Sequence, residues 1–373
     1  MGVQVGTRIP SSGLIAAYDP ASDANFGIFS SNKYGTTTTF LYGTGSSFES
    51  DSNPTNTIVL LENPSNYSPY VLRQNGNNTE YQINLTTELA SSTTYVLSGW
   101  YAKSSDYNGS DTMFHCRAFS TSGNHVALGT GIGTVIKTQV VGGITWSYCY
   151  TTITTPSDYS NSFHWYVGYG TNNTAGYRYY CNIKMEEGTY PNLKNIVTNS
   201  IHGIPVNGVT YSSANQGVLV LDGSNDYIKI LQDLRSGTYT IIGAARYAVV
   251  GGRTFSALNN NWLMGHWSST TQNHYAEGWV TNSQEGPSDT NWRIYATTGN
   301  TSTDTWQMYV NGVQTFSNSN GSAGPHNLSI GMYGPGSSEF SNSNIGCLYI
   351  YNRVLSATEI TEVYEALRHR FGL

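Results

Sequence analysis

The chain has 373 residues, of which only 11% are charged and 13% are aromatic, with 29 tyrosines and 40 glycines. Aromatic and β-branched side chains favour pleated sheets, whereas helices draw on Ala, Leu, Glu and Lys. The net charge of −6 and the scattered Lys and Arg residues argue against a nucleic-acid-binding surface. No apolar run approaches the roughly 20 residues that span a membrane, and we expect no secretory signal at the N-terminus. The length allows two or more domains with their own cores.

Short segments of alternating polarity recur through the first half of the chain, separated by Gly, Asn, Ser and Pro. Strands at this spacing are typical of a β-sandwich. The predicted strands of this series are 79–85, 94–102, 112–120, 146–154, 163–170 and 177–187. A second series of the same character runs from residue 218 to residue 355. The polar stretch at 190–199 predicts a seam between the two series.

One helix is predicted, over residues 356–371 near the C-terminus. Ser356 is a suitable N-cap, and Glu359, three residues later, completes a capping box. The apolar residues of this segment recur at the spacing of one helical face: Ile360, Val363, Tyr364 and Leu367. We therefore expect a short amphipathic helix that packs on a sheet.

Four segments of the second series carry a family resemblance: 218–230, 291–299, 306–316 and 345–367. Residues 218–230 contain the pattern Asp-Gly-x-x-Asp-Tyr, beginning at Asp222. A closing strand then runs into Leu-Ser-x-x-Glu-Ile, beginning at Leu355. These segments resemble the laminin-G-like branch of the concanavalin A-like lectin/glucanase jelly rolls. The resemblance implies a jelly roll in this part of the chain.

The opening strand of such a jelly roll lies far away in the sequence. Residues 12–22, with Gly13, Leu14 and Asp19, resemble the first strand in many phage structural proteins, and 206–223 resemble its continuation. The stretch between them is similar to a carbohydrate-binding-module jelly roll, and its exit at 186–191 is similar to tailed-phage virion proteins. The prediction is an all-β protein of two jelly-roll β-sandwiches, the first inserted into the second, plus the short C-terminal helix. Residues 1–29 plus 192–373 form the lectin-like domain, and 30–191 form the insert.

Catalytic carboxylates are the first candidate chemistry to consider. Glucanases of the resembled fold use an E-x-D-x-x-E strand, which places its acids on one face beside the glycosidic bond. The sequence has no such run. Glu277, Glu285 and Asp289 lie in a polar loop with other spacing, and Glu186 and Glu187 are expected to be solvated charges on opposite strand faces. We therefore predict a protein without enzymatic activity.

Aromatic residues are the second candidate, because flat rings cover the apolar face of a sugar while amides bind its hydroxyls. The alternative role for the same rings is core packing, which we expect for Trp292 and Trp306. The predicted glycan-binding set lies within 259–279 and consists of Trp262, His266, Trp267, Asn273, Tyr275 and Trp279. Candidates in the insert are Trp100, Trp146, Trp165 and Tyr169.

Asp222 and Asp226 are candidate ligands of a structural Ca²⁺, because carboxylates are its preferred ligands. The alternative is turn chemistry, in which both side chains bind their own backbone. No other cofactor is expected. The four cysteines, Cys116, Cys149, Cys181 and Cys347, lie in strand-like segments. They are either buried thiols or, for Cys116 and Cys149, a disulfide.

Taken with the resemblance, these features predict a non-enzymatic structural protein on the surface of a phage virion. Capsid decoration is the first hypothesis, because no segment resembles a trimeric fibre stalk. The alternative is an adhesin on tail, neck or head that binds a host cell-surface glycan, and a glycan hydrolase is disfavoured. The expected partners are other virion proteins, further copies of the chain on the particle and, for the adhesin, host polysaccharide.

Overall fold

The structure is a computed structural model, which describes residues 9–21, 56–62, 64, 70–74, 81–85, 89–128, 131–169, 174–188, 191, 193, 197 and 201–373. The chain divides into two compact units. Unit 1 comprises Met1–Asn25 and Asn192–Leu373, and unit 2 comprises Phe26–Pro191. The predicted junctions, near residue 30 and at 190–199, lie wholly or mostly outside the described residues. That the insert is a carbohydrate-binding module stays a prediction.

The described residues of the first part of the chain form eleven strands. They are β1 (Leu14–Tyr18), β2 (Asn56–Leu60), β3 (Tyr70–Gln74), β4 (Tyr81–Leu85), β5 (Thr94–Lys103), β6 (Cys116–Ser120), β7 (His125–Leu128), β8 (Thr134–Val141), β9 (Ile144–Thr154), β10 (Tyr159–Val167) and β11 (Arg178–Glu187).

Thirteen further strands and one α-helix follow. They are β12 (Ile204–Val206), β13 (Thr210–Ser212), β14 (Val218–Asp222), β15 (Tyr227–Asp233), β16 (Thr238–Tyr247), β17 (Phe255–Ala257), β18 (Trp262–Trp267), β19 (Thr270–Ala276), β20 (Arg293–Asn300), β21 (Thr305–Val310), β22 (Val313–Asn318), β23 (His326–Ile330), β24 (Asn342–Tyr351) and α1 (Ala357–Phe371).

Unit 1 contains two antiparallel sheets. The eight-stranded sheet has the order β13-β14-β24-β16-β20-β21-β22, with β1 paired to β24. The six-stranded sheet has the order β12-β15-β23-β17-β18-β19. Helix α1 buries Ile360, Val363, Leu367 and Phe371 in one cluster with residues of the eight-stranded sheet. The predicted all-β class is therefore confirmed, as is the capping box between Ser356 and Glu359.

The long strand β24 brings the two distant parts of unit 1 together. One half of β24 pairs with β14, for example Ile345 with Leu219, while the other half pairs with β1, from Leu348–Tyr18 to Tyr351–Leu14. Gly13, directly before β1, has a φ of +72°, a conformation that favours glycine. Strand β1 thus lies in the same sheet as β13 and β14, although the whole of unit 2 separates them in the sequence.

A buried arginine fixes the start of unit 1 to its end. Arg370, near the end of α1, donates to Asp19 Oδ1 at 2.7 Å, to the Asn215 carbonyl at 2.7 Å and to the Gly346 carbonyl at 2.9 Å. It also donates to the carbonyl of Gly217. The side chains of Arg370 and Asp19 are only 8% and 15% exposed. Four separate segments of the chain therefore meet at one guanidinium.

Unit 2 also contains two antiparallel sheets, with the orders β4-β10-β6-β7 and β2-β3-β11-β5-β9-β8. One hydrophobic cluster is shared by β5, β9, β10 and β11, and Trp165 lies in it with its indole N–H donating to the Met113 carbonyl at 3.0 Å. All four cysteines of the chain are buried, and no disulfide joins Cys116 to Cys149, although both lie in this cluster.

Two predictions for unit 2 need correction. Residues 112–115 are not part of β6, which begins at Cys116. Glu186 and Glu187 do point to opposite sides of β11, but Glu186 is only 2% exposed and forms a 2.8 Å ion pair with Lys184. A carboxylate can be buried there because its partner cation is buried beside it. Among the residues described, no helix is both long and apolar enough to cross a membrane.

Candidate functional site

Three aromatic side chains of unit 1 form one cluster on the hairpin of β18 and β19, where β19 is the last strand of the six-stranded sheet. The rings of Trp267 and Trp279 are 5.2 Å apart, and those of Tyr275 and Trp279 are 5.1 Å apart. All three side chains are partly exposed. We call these residues, Trp267, Tyr275 and Trp279, the aromatic cluster.

A tight reversal of the chain brings Trp279 back onto the hairpin. Glu277 has a φ of +55°, and a Cβ at Gly278 would lie 1.9 Å from the Asn320 carbonyl oxygen. The reversal lets Trp279 form a β-bridge with Tyr275. The sequence Ala-Glu-Gly-Trp therefore positions the third ring, because only glycine fits against that carbonyl.

Asn273 supports the cluster from inside and is fully buried. Its amide nitrogen donates to the Gly265 carbonyl at 3.2 Å and to Thr270 Oγ1 at 2.9 Å. Its amide oxygen accepts from the backbone N–H of Glu285 at 2.9 Å. Asn273 therefore fastens the hairpin to the loop that follows it, and its side chain is not exposed at the surface, contrary to its place in the predicted glycan-binding set.

Two further members of the predicted glycan-binding set are core residues, which corrects that prediction. Trp262 is 0% exposed, and its indole N–H donates to Tyr239 Oη at 3.0 Å. His266 is also 0% exposed, with its ring 4.2 Å from that of Tyr247. Successive side chains of a strand point to opposite faces, so Trp262 and His266 share the core face and Trp267 takes the other.

The two buried histidines of this hairpin, His266 and His274, do not change protonation state near neutral pH. Burial lowers the pKa of His266 to about 3 and, despite a hydrogen bond to the Leu263 carbonyl, that of His274 to about 4. Both imidazoles are therefore neutral in the folded protein at pH 7. The exposed parts of this region are the aromatic cluster and the polar loop that carries Glu277, Glu285 and Asp289.

The carboxylates of that loop have structural partners. Asp289 forms a two-pronged ion pair with Arg293, at 2.7 and 2.8 Å, and these hydrogen bonds lower the pKa of Asp289 to about 2. Glu277 accepts the backbone N–H of Asn261 at 3.0 Å, and Glu285 accepts the Asn282 amide at 2.9 Å. Asp289 stays ionised near pH 7, so it cannot donate a proton to a leaving group.

The acidic turn at Asp222 and Asp226 has the geometry of turn chemistry. Asp226 is 1% exposed and accepts the backbone N–H groups of Gly208, at 2.6 Å, and of Asp222, at 3.1 Å. Asp222 accepts the N–H of Ser224 at 2.7 Å. Burial raises the pKa of Asp226. Within the described residues, no group of three or more His, Cys, Asp or Glu side chains could hold a metal ion.

Unit 2 has a groove of about 560 Å³ that the sequence did not suggest. Tyr101 donates to Asp111 Oδ1 at 2.7 Å, and Lys103 binds both oxygens of Asp111 at 3.0 Å. Tyr107 and Ser147 also line it. The tryptophans proposed from the sequence do not line this groove. They are buried, with Trp100 at 1% and both Trp146 and Trp165 at 0% exposure, whereas Tyr169 is partly exposed.

Residues 222–361 match the sequence model of the Laminin_G_3 family, described as the concanavalin A-like lectin/glucanases superfamily. This match lies within unit 1 and covers less than half of the chain. It supports the jelly-roll fold predicted there. It includes both the aromatic cluster and the acidic turn. A search of curated proteins finds no match.

Several solved structures are similar at low identity. Domain 4 of AbnA, a GH43 extracellular arabinanase from Geobacillus stearothermophilus in complex with arabinotriose, is 18% identical with a TM-score of 0.39, over 46% of this chain and 92% of that one. The binding domain of Paraclostridial mosquitocidal protein 1 is 14% identical with a TM-score of 0.38, over 46% and 49%. The botulinum neurotoxin type G receptor binding domain is 17% identical with a TM-score of 0.30, over 45% and 47%. Function does not follow from similarity of this kind.

Proposed function

We propose that the chain is a non-enzymatic, glycan-recognising protein on the surface of a tailed-phage particle. The observation that carries the proposal is the aromatic cluster, which presents Trp267, Tyr275 and Trp279 on a sheet-edge hairpin of the lectin-like unit. Aromatic rings cover the apolar faces of sugars, and the exposed polar loop beside them supplies hydrogen-bonding groups. The resemblance of residues 12–22 and 186–191 to phage virion proteins supports the location on a particle.

The loop carboxylates support a binding role over a catalytic one. Glycoside hydrolysis uses one protonated and one ionised carboxyl group on either side of the bond. Asp289 is held ionised by Arg293, while Glu277 and Glu285 accept hydrogen bonds that order the loop. A hydrolase would release reducing ends from a bound glycan. We expect no such release.

A glycan array probed with the full chain tests the proposal. Trp279→Ala should weaken binding at least tenfold, because it removes the ring that contacts both other members of the cluster. Leu231→Ala is the matched control, since Leu231 is 54% exposed on β15 of the same sheet. Unchanged binding by a folded Trp279→Ala variant, or no bound glycan at all, would refute the proposal.

Capsid decoration is the second candidate, favoured by apolar side chains on strands that end the sheets. Val313, on β22, and Val140, on β8, are each 67% exposed. Both strands are terminal in their sheets among the described residues. Such edges suit packing against other virion proteins or further copies of this chain. Cryo-electron microscopy of purified particles should then show the chain at every position of a capsid lattice. A few copies on the tail, neck or a head appendage would instead favour the adhesin, and absence from particles would exclude both.

A further inference from the structure

The solvent side of the four-stranded sheet in unit 2 has an unusual set of side chains. Along β6 and β10 the exposed positions alternate with core positions such as Ala118 and Trp165. The side chains on the solvent side are half-buried and consist of Arg117, Phe119, Ser162, His164 and Tyr166. This face therefore carries rings where surface strands usually carry simple polar groups.

Six rings form a continuous row on β10, β6 and β7 and on the residues that flank β6 and β10. We call this set the ring row, and it runs through Tyr169, His115, Tyr166, His164, Phe119 and His125. Neighbouring ring centroids are separated by 4.0, 5.6, 5.9, 4.9 and 5.4 Å in that order. The first pair is stacked, with an interplanar angle of 11°. A row of this kind suits an extended ligand better than a compact one.

One polar side chain in the ring row and one beside it lack the partners that buried groups normally have. His115 is only 9% exposed, and neither of its ring nitrogens has a hydrogen-bond partner. The Nε of Arg117 is also buried without a partner. Its guanidinium lies 5.7 Å from the Tyr166 ring centroid. Leaving a buried polar group unsatisfied costs about 1–3 kcal/mol, so a polar ligand that displaced the covering side chains would remove part of that cost.

The charge of this face selects the class of ligand. Arg117 is the one residue with a permanent charge in β6, β7 and β10. Burial and the neighbouring Arg117 lower the pKa values of His115 and His164, so both are neutral near pH 7. Arg117 therefore places a local positive charge on this face, within a chain whose net charge is −6. A polyanion that binds such a chain needs a local cationic site.

We propose that the ring row binds an acidic glycan, with a sugar carboxylate on Arg117 and sugar rings along the aromatic side chains. A guanidinium binds a carboxylate through two parallel hydrogen bonds. The inference extends the proposed glycan recognition to a second surface in the other unit. It shares no residue with the aromatic cluster of unit 1.

Affinity electrophoresis of the full chain through gels that contain polygalacturonate, alginate or hyaluronan tests the inference. We expect retardation by at least one of these polymers. Arg117→Gln and Tyr169→Ala should each weaken it at least tenfold. Arg235→Gln, which removes a 53%-exposed arginine of unit 1, should leave it unchanged. Methyl-esterified polygalacturonate, which lacks the carboxylates, should retard the wild-type chain much less than the free acid.

The variants also separate this inference from the proposed function. Loss of retardation in Arg117→Gln but not in Trp279→Ala supports the ring row as a separate site. Loss in Trp279→Ala alone, or equal retardation of Arg117→Gln and wild type, overturns the inference and leaves the aromatic cluster standing. No retardation by any of the three acidic polymers overturns it as well, whatever the glycan array shows. Equal retardation by dextran sulfate in all variants would indicate unspecific charge attraction and would also overturn it.

Discussion

Replacement of Arg370 by alanine should destabilise unit 1 far more than a usual helix-surface substitution. The guanidinium joins α1 to Asp19 at the end of β1, to the Asn215–Gly217 turn and to β24 at Gly346. The Asp19 side chain is only 15% exposed beside Arg370, so the substitution removes the cation from a largely buried carboxylate. Breaking a buried ion pair from one side costs about 3–5 kcal/mol, so Arg370→Ala should lose about that much.

The neighbouring Arg368 offers a matched control on the same helix. Its ion pair with Glu365 has side chains that are 33% and 41% exposed, and exposed pairs contribute about 0.2–1 kcal/mol. Urea denaturation measures the loss in the free energy of unfolding for each variant. Hydrogen exchange of the peptide 9–21 gives a local measurement, because Arg370→Ala should release β1 from β24 and speed its exchange. The reasoning would be refuted if Arg370→Ala and Arg368→Ala lost the same free energy of unfolding and hydrogen exchange in β1 were unchanged.

Three further predictions concern unit 1. His266 and His274 have pKa values near 3 and 4 in the folded protein, whereas an unfolded histidine has a pKa near 6.5. Their contribution to the free energy of unfolding is therefore complete above about pH 6.5 and is lost as the pH falls toward 3 to 4, because the unfolded state binds protons first. The melting temperature should fall over this range, and less steeply in a double His→Gln variant. Ser356→Ala should lower the free energy of unfolding, measured by urea denaturation, by about 1 kcal/mol. Ser356→Asp, which keeps an N-cap acceptor, should lower it little. Gly252→Ala should cost more than Gly237→Ala in the same assay: both have positive φ, but only at Gly252 would a Cβ meet a backbone oxygen, that of Phe340, at 2.3 Å.

The parts of this protein that the sequence predicted well depend on short-range rules. The helix is one case, since the N-cap Ser356 and its partner Glu359 are three residues apart and bond each other whatever surrounds them. The strands are another, since alternation is a property of the backbone. Alternation also indicates that Trp262 and Trp267 face opposite sides of β18, which would have separated these two members of the predicted glycan-binding set.

Alternation could not say which of those two faces is the core. That was decided by the packing of β18 against the other sheet, where Trp262 meets Tyr239. Asp226 shows the same limit. Its neighbours predicted a turn, but its burial depends on Gly208, which is 18 residues away in the sequence.

The sequence by itself determined the all-β class, the capped helix and the resemblance of residues 218–230 and 345–367 to a lectin-type jelly roll. Only the tertiary structure decided which rings reach the surface and which rings meet. The ring row assembles residues from His115 to Tyr169 because β6 pairs with both β10 and β7. The physical reason is that side-chain direction is set locally by the strand, whereas its neighbours are set by sheet pairing between segments far apart in the chain.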